Sequence, residues 1–463
     1  MPALRFRFRQ ENTLNPSRSL VLVIAFVALA CGSQTAAPSG GEPTDAGGVS
    51  NSGSGGAPTV ALGGSMTAGA SGGSAIGGGA GVTAGGTSAN VPVDTEPPFS
   101  PTNVSAADAQ GAYDTWKAAH LEDCSGGVWR VRWESAKQDA TVSESIGYGM
   151  LLTEIYGDRA AYDGLLAYAK LMRQPNQLMN WLRYGCDAHR DTKYSDYPDN
   201  SASDADLDVA MSLIMAECKW SDGPYGDEAS TVISAIKQNM FVDDGGLHVL
   251  EPGDSAWFDM LGSGCVNYSY MAPAYYRAFA KQVAADAEFW NKAADDTYEL
   301  LAKASDATTG LVRNWGSANG GQATDECNTT YKRAGSYGSD AARTPWRIAT
   351  DYLWFGTAKA KSWNDKVTTW VKSQGVKNII QWYNLDGTPD MQSSTWNNHS
   401  AVNVGPFSVG AMTFDQATVN EFAAELLAIP ATAGSHDAEY FPRMLKALSL
   451  VTLTGQFTQC SAK

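Results

Sequence analysis

The sequence predicts an all-α fold for its folded part, and three observations lead there. Apolar residues recur at helical spacing in segment after segment; Leu207, Ala210, Met211, Ile214 and Met215, for example, fall at i, i+3, i+4, i+7 and i+8, one face of a helix. No Val/Ile-rich strands alternate with these segments, which disfavours a parallel α/β sheet. From about Pro98 to Gln459 the segments follow one another without a second linker, joined by loops rich in Gly, Pro, Asn, Asp and Trp.

Ahead of that block lie two stretches of different character. Residues 1–31 read as an export signal: Arg5, Arg7, Arg9 and Arg18 form a basic head, and Leu20 to Ala30 an apolar run too short to span a bilayer comfortably. The run ends in "VALAC", which looks like a bacterial lipoprotein cleavage site with Cys31 as the lipidated residue; Ala28 stands where such sites usually carry Leu. The expectation is an exported protein, anchored to a membrane through Cys31 or secreted if that cysteine is not lipidated. Residues 32–97 are Gly, Ser, Ala and Thr with almost no aromatics, too little apolar surface to offset the entropy of ordering. Such a tether of about 60 residues has a span of roughly 45 Å.

The block from 98 to 463 is expected to be helical at Tyr148–Tyr156, Tyr162–Met172, Thr231–Met240, Ala272–Val283, Phe289–Ala302, Thr344–Ala360, Val367–Ser373, Val419–Leu427 and Met444–Leu453, besides the Leu207 segment. Of the seven cysteines, setting Cys31 aside leaves Cys124, Cys186, Cys218, Cys265, Cys327 and Cys460, up to three disulfides among fifteen pairings in an exported chain. Cys218, on a helix, can equally be a plain core residue. None forms a CxxC pair or has histidines at zinc-ligand spacing, so no metal or other cofactor is expected. A formal net charge of −16 with no basic stripe argues against nucleic acid as a partner. Nothing in the sequence calls for more than a monomer.

Trp makes up 14 residues, several of them in polar loops: "QLMNWLRYG" (Trp181), "PGDSAWFDM" (Trp257), "LVRNWGS" (Trp315) and "SSTWNNH" (Trp396). A flat ring beside hydrogen-bonding groups suits a sugar. Three carboxylate-bearing stretches accompany them. "SASDADLDVAMSLIMAECKW" places Asp204, Asp206 and Asp208 at every second position, more acid than a helix cap requires. "TVSESIGYGMLL" carries Glu144 before an apolar helix, and "YGSDAARTPWR" carries Asp340 three residues before Arg343. The Asp alternation is not an EF-hand, because Val209 and Met215 occupy its sixth and twelfth positions.

Together these stretches resemble the family 8 glycoside hydrolases, bacterial endoglucanases and their relatives. The family signature, Ala, Ser or Thr, Asp, Ala or Gly, Asp and then an apolar helix ending in Trp, is matched through Trp220. The resemblance continues in order with "SESIGYGMLL", "QLMNWL", "EPGDSAWF", "NYSYMAPAYY", "GLVRNW", "DAARTPWR", "NNHSAVNVGP" and "LTGQF", covering residues 98–457. It implies an (α/α)6 barrel with long active-site loops and an inverting hydrolysis of β-1,4-glucosidic bonds within cellulose or mixed-linkage β-glucan. Carried over by motif, Glu144 is the general acid, Asp340 the general base oriented by Arg343, and Asp204 the carboxylate at the cleavage point. Trp181 and Trp257 match sugar-stacking positions and Tyr270 one near the cleavage site; Tyr440, in "AEYFPRM", is placed at the other end. Asp206 and Asp208 are expected to brace the helix start or neighbouring loops. The family usually has Gly after the acid and an aromatic before the base, where this chain has Ser145 and Ser339. The alternatives are a catalytically weakened β-glucan-binding protein, or a family 8 enzyme acting on xylan or chitosan. Against an unrelated hydrolase, the folded part shows neither G-x-S-x-G nor HExxH.

Overall fold

The computed structural model describes residues 98–133, 139–190, 199–254, 264–325, 327, 333–391, 398–431 and 440–459. Among them run twelve α-helices: α1 (Ala106–His120), α2 (Ser143–Ile155), α3 (Arg159–Met172), α4 (Ser203–Lys219), α5 (Tyr225–Asn239), α6 (Pro273–Gln282), α7 (Ala287–Ala304), α8 (Thr344–Phe355), α9 (Ala358–Gln374), α10 (Ala401–Gly410), α11 (Gln416–Ala428) and α12 (Tyr440–Leu453). The even-numbered helices pack neighbour against neighbour, α2 on α4, α4 on α6, α6 on α8, α8 on α10 and α10 on α12; α12 returns to α2 and closes the ring. Each odd-numbered helix packs outside, α3 on α2, α5 on α4, α7 on α6, α9 on α8, α11 on α10 and α1 on α12. This is the (α/α)6 barrel that the resemblance implies.

The two rings demand different sequences. α7, on the outside, buries one stripe, including Trp290, Ala293, Ala294, Tyr298 and Leu301, while Glu288 and Glu299 stand in water. The inner α4 is buried from Ser203 through Ala216 and α10 along its whole length, so their polar residues must find partners inside the protein. Close helix approach is achieved with missing side chains. A Cβ on Gly147 of α2 would lie 2.8 Å from the Asp208 Cβ and 3.0 Å from the Ala205 carbonyl of α4. A Cβ on Gly405 of α10 would come 2.6 Å from the Ser449 hydroxyl of α12. On the α6–α7 side, Trp290 sits edge-to-face with Phe241, Phe279 and Phe289 at centroid distances of 5.6, 5.2 and 5.1 Å. Each such pair adds about 0.5–1.5 kcal/mol beyond its burial.

Among the described residues there are three small two-stranded antiparallel sheets: β1 (Leu121–Asp123) with β2 (Trp129–Val131), β3 (Ala140–Val142) with β4 (Leu182–Tyr184), and β5 (Phe241–Asp244) with β6 (Leu247–Leu250). The second matters most for the site, because it joins the entry of α2 to the loop holding Trp181.

Several expectations need adjustment. The segment read as one helix from Thr344 to Ala360 is two, because Gly356 takes φ 65° and ends α8 in a left-handed cap. The Val367–Ser373 segment is the latter half of α9. α1 and α10 are additional helices. α1 opens with a capping box between Ser105 and Asp108, whereas α10 contains Gly405, Pro406 and Gly410 and is helical because it is buried on every side. Cys124 bonds Cys186 and Cys265 bonds Cys327. Cys218 is disulfide-bonded as well and is no plain core residue.

Candidate active site

Glu144 is the second residue of α2. That helix has no side-chain cap; its entry is set by the β3–β4 ladder, with Val142 opposite Leu182, and by the Ser143 N–H donating to the Trp181 carbonyl at 2.8 Å. Asp204 is the second residue of α4, whose start is pinned to the 251–252 segment: the Ser203 hydroxyl donates to the Glu251 carbonyl at 2.7 Å and its N–H to Pro252 at 2.9 Å. Asp340 precedes a 3₁₀ turn, Ala341–Arg343, that leads into α8; the Ala341 N–H donates to the Asn314 side-chain oxygen at 2.9 Å. Three elements far apart in sequence therefore each present a carboxylate from the first turn of a helix or its lead-in.

Arg343 joins all three. Its Nη1 donates to Glu144 Oε2 and, at 2.8 Å, to Asp204 Oδ2, while Nη2 reaches Asp340 Oδ1 at 3.2 Å. The guanidinium is 2% exposed and lies over the Tyr270 ring at 5.0 Å and the Phe441 ring at 5.8 Å. One cation facing three carboxylates leaves an excess of negative charge in a buried place, so a proton is retained there. Glu144 is the group that holds it: burial, opposed by Arg343 and reinforced by the charges of Asp204 and Asp340, pushes it from its ordinary 4.5 to about 7. Tyr440 donates to its other oxygen at 2.9 Å. Burial and the neighbouring Glu144 raise the Tyr440 phenol well above its ordinary value, so it keeps its proton. Burial also raises Asp340, opposed first by Arg343 and then by Trp315, whose indole Nε1 donates to Oδ2 at 3.2 Å. Asn267 also favours the anion; its buried NH2 has no hydrogen-bond partner, and its amide oxygen accepts from the Ser269 N–H.

The other two aspartates of α4 have separate duties. Asp206 accepts the Met179 N–H at 3.0 Å and so braces the loop before β4. Asp208 makes a two-pronged pair with Arg347 of α8, both bonds 2.6 Å, entirely inside the barrel. It braces helix against helix across the inner ring, rather than the start of its own helix. Ser145 is fully buried; its hydroxyl donates to the Val142 carbonyl at 2.6 Å, so the serine is spent on the wall behind α2. Ser339 accepts from the Gln381 amide at 2.6 Å.

The structure thus brings Glu144, Asp204, Asp340, Arg343, Tyr270 and Tyr440 into one cluster. Tyr440 is 1% exposed, held against Glu144 instead of offering an open ring face. Trp181 is partly buried beside the α2 entry. Trp257 and Cys31 lie outside the described residues. Sequence reasoning assigned nothing to Asn267, within "NYSYMAPAYY", and gave Trp315 only a general affinity for sugar. No local pattern marks a residue whose job is to hold Asp340.

A helical barrel whose inner-ring helices present two carboxylates of opposed demand, one kept protonated near neutrality and one held by donors, has the equipment of a glycoside hydrolase. Residues 97–455 match the sequence model of the family Glycosyl hydrolases family 8. The chain belongs to that family. Its relatives include Endoglucanase A of Acetivibrio thermocellus, 34% identical over 80% of this chain and 75% of the relative. Endoglucanase 2 of Ruminiclostridium josui is 35% identical over 74% and 70%. Among solved structures, the apo β-1,3-1,4-glucanase from Paenibacillus sp. X4 superposes with a TM-score of 0.67 at 26% identity, covering 78% of this chain and 96% of that one.

Proposed function

We propose that this protein is an inverting endo-β-glucanase that cuts β-1,4-glucosidic bonds within cellulose or mixed-linkage β-glucan. The observation that carries the reading is the Arg343-centred cluster, with Glu144 raised to about 7 and Asp340 held by Arg343 and Trp315. The endoglucanase relatives and the glucanase neighbour support the substrate class.

In this reading Glu144 donates its proton to the glycosidic oxygen as that bond breaks, and Asp340 accepts a proton from the water attacking the opposite face of the sugar. The two carboxylates hang from different terminal nitrogens of one guanidinium, with a hydrogen bond on either side. An inverting enzyme needs its two carboxyls about 6.5–9.5 Å apart, to leave room for that water. Tyr440, able both to donate and to accept, accommodates Glu144 in either protonation state. In the same reading Asp204, anchored to Arg343, binds the sugar at the cleavage point, and Trp181 stacks a ring further along. The burial of Ser145 away from the cleft favours an active enzyme over a weakened binder.

Reducing-sugar release from carboxymethyl-cellulose, mixed-linkage β-glucan, xylan and chitosan tests the proposal. Activity on the first two, abolished by Asp340→Asn in a folded protein and giving the inverted anomer by proton NMR, is the expected result. Release from xylan or chitosan alone would overturn the substrate class, and retention of polymer without cleavage would overturn the activity.

We further propose that the enzyme is exported and held at a membrane by a lipid on Cys31, with residues 32–97 as the tether. The basic head, the apolar run and the "VALAC" sequence support this. Cys31→Ser should move the protein from the membrane to the soluble fraction; an unchanged distribution would refute the anchor.

A further inference from the structure

We propose that the Cys265–Cys327 disulfide is a positioning element for Asp340, acting through Trp315. The inference rests on the reading of Asp340 as general base. Cys265, Cys327, Trp315 and Ala334 form a small buried cluster separate from the main core, each no more than 3% exposed. The disulfide is thus packed in the same pocket as the indole that donates to Asp340 Oδ2.

The backbone tightens the link. The Trp315 N–H donates to the Ala334 carbonyl at 2.9 Å, and the next residue, Gly316, exchanges two hydrogen bonds with Val266, at 2.7 and 2.9 Å. Val266 lies between Cys265 and Asn267, the second residue that favours the Asp340 anion. Any side chain at Gly316 would force the buried Tyr268 to move, because a Cβ there would fall 2.1 Å from its hydroxyl. Trp315, which donates to Asp340, and Asn267, which favours its anion, therefore stand on segments that this disulfide and this bridge lock together. Trp315 also meets Tyr270 edge-on at 6.0 Å, so its placement bears on that ring as well.

The test is a cycle of Cys265→Ala/Cys327→Ala, Trp315→Phe and their combination, read as kcat, KM and the pH dependence of kcat/KM. A misplacement on the order of 1 Å at a reacting group costs up to about 100-fold, so the cysteine pair should lower kcat about 10-fold or more with KM nearly unchanged. Losing a donor to the anion raises the pKa of Asp340, so the acid limb of kcat/KM should move to higher pH in both variants. The combination should cost no more than Trp315→Phe alone, because both act along one path. Removing Cys124–Cys186, whose cysteines lie outside this cluster, should leave the acid limb in place.

A folded Cys265→Ala/Cys327→Ala protein with wild-type kcat and acid limb overturns the proposal. So do additive effects in the combination, or the same limb shift on removing Cys124–Cys186. Should the cysteine pair not fold, Trp315→Phe decides: an unmoved acid limb overturns it. Asp340→Asn separates the two levels. Activity surviving there defeats the assignment of the base, whereas its loss beside a normal cysteine variant defeats only this inference.

Discussion

Glu144→Gln should separate the folding role of this carboxyl from the catalytic one proposed for it. In the folded protein burial outweighs the attraction of Arg343 and holds Glu144 at about 7 against an ordinary 4.5. At 1.36 kcal/mol per pH unit, that difference corresponds to about 3 kcal/mol. Because the folded value is the higher one, Glu144 burdens the fold least below pH 4.5. The burden grows as pH rises toward 7 and levels off above it. Glutamine cannot ionise, so the variant escapes this loss. The stability of Glu144→Gln relative to the wild type should therefore climb by up to about 3 kcal/mol between pH 4.5 and 8. The figure is a ceiling, since the side chain keeps 19% exposure and water screens part of the effect. Urea unfolding of both proteins at pH 4.5, 6, 7 and 8 measures the gap. Using the gap's slope cancels the other titrating groups and any constant change in hydrogen bonding to Arg343 and Tyr440. Over the same series, turnover of β-glucan should fall by about 10²–10⁴-fold, the usual contribution of a general acid. A gap that stays flat with pH would refute the claim that burial dominates Arg343 at this site. A gap that narrows with rising pH would show that the ion pair wins.

Gly147→Ala pits helix propensity, worth about 1 kcal/mol in favour of Ala, against a new Cβ 2.8 Å from Asp208 and 3.0 Å from the Ala205 carbonyl. Since the obstacle includes backbone, sterics should prevail with a net loss of about 1–3 kcal/mol, measured by denaturant unfolding; a stabilised variant would contradict the packing described. Asp208→Ala strands Arg347 inside the barrel between the Trp346 and Tyr275 rings and should cost about 3–5 kcal/mol. A loss below about 1 kcal/mol would show that the pair is not needed to keep the inner ring closed. Trp181→Ala keeps the backbone carbonyl that holds the α2 entry, so it should raise KM about 10-fold, equivalent to 1.4 kcal/mol, with kcat less affected. A large fall in kcat with unchanged KM would instead make Trp181 part of the acid's support.

The outer ring apart from α1 was readable from sequence, because an outer helix buries one stripe and leaves the rest to water. In α7 and α5 the buried residues repeat at helical spacing, and polar residues fill the other face. Inner helices blur that signal: α10 is buried all round and carries Gly405 and Pro406, which argue locally against a helix. Burial on every side overrides that preference. The site followed the same division. Glu144, Asp204 and Asp340 stand out as acids at the thresholds of apolar helices, and family resemblance assigned them roles. That Arg343 serves all three, that Tyr440 is turned inward onto Glu144, and that Trp315 holds Asp340 are facts of long-range proximity, with separations up to 296 residues.

By itself the sequence determined the class of fold, the family, the acids at the thresholds of apolar helices and the absence of local metal-ligand spacing, because these depend on residue type and short-range periodicity. Only the tertiary structure decided which acid keeps the proton and which aspartate braces the barrel. Asp204, Asp206 and Asp208 look alike in the chain, yet one meets Arg343, one a loop N–H and one Arg347. Acidity depends on burial and on the charges within a few ångströms, and the closing of the inner ring sets both.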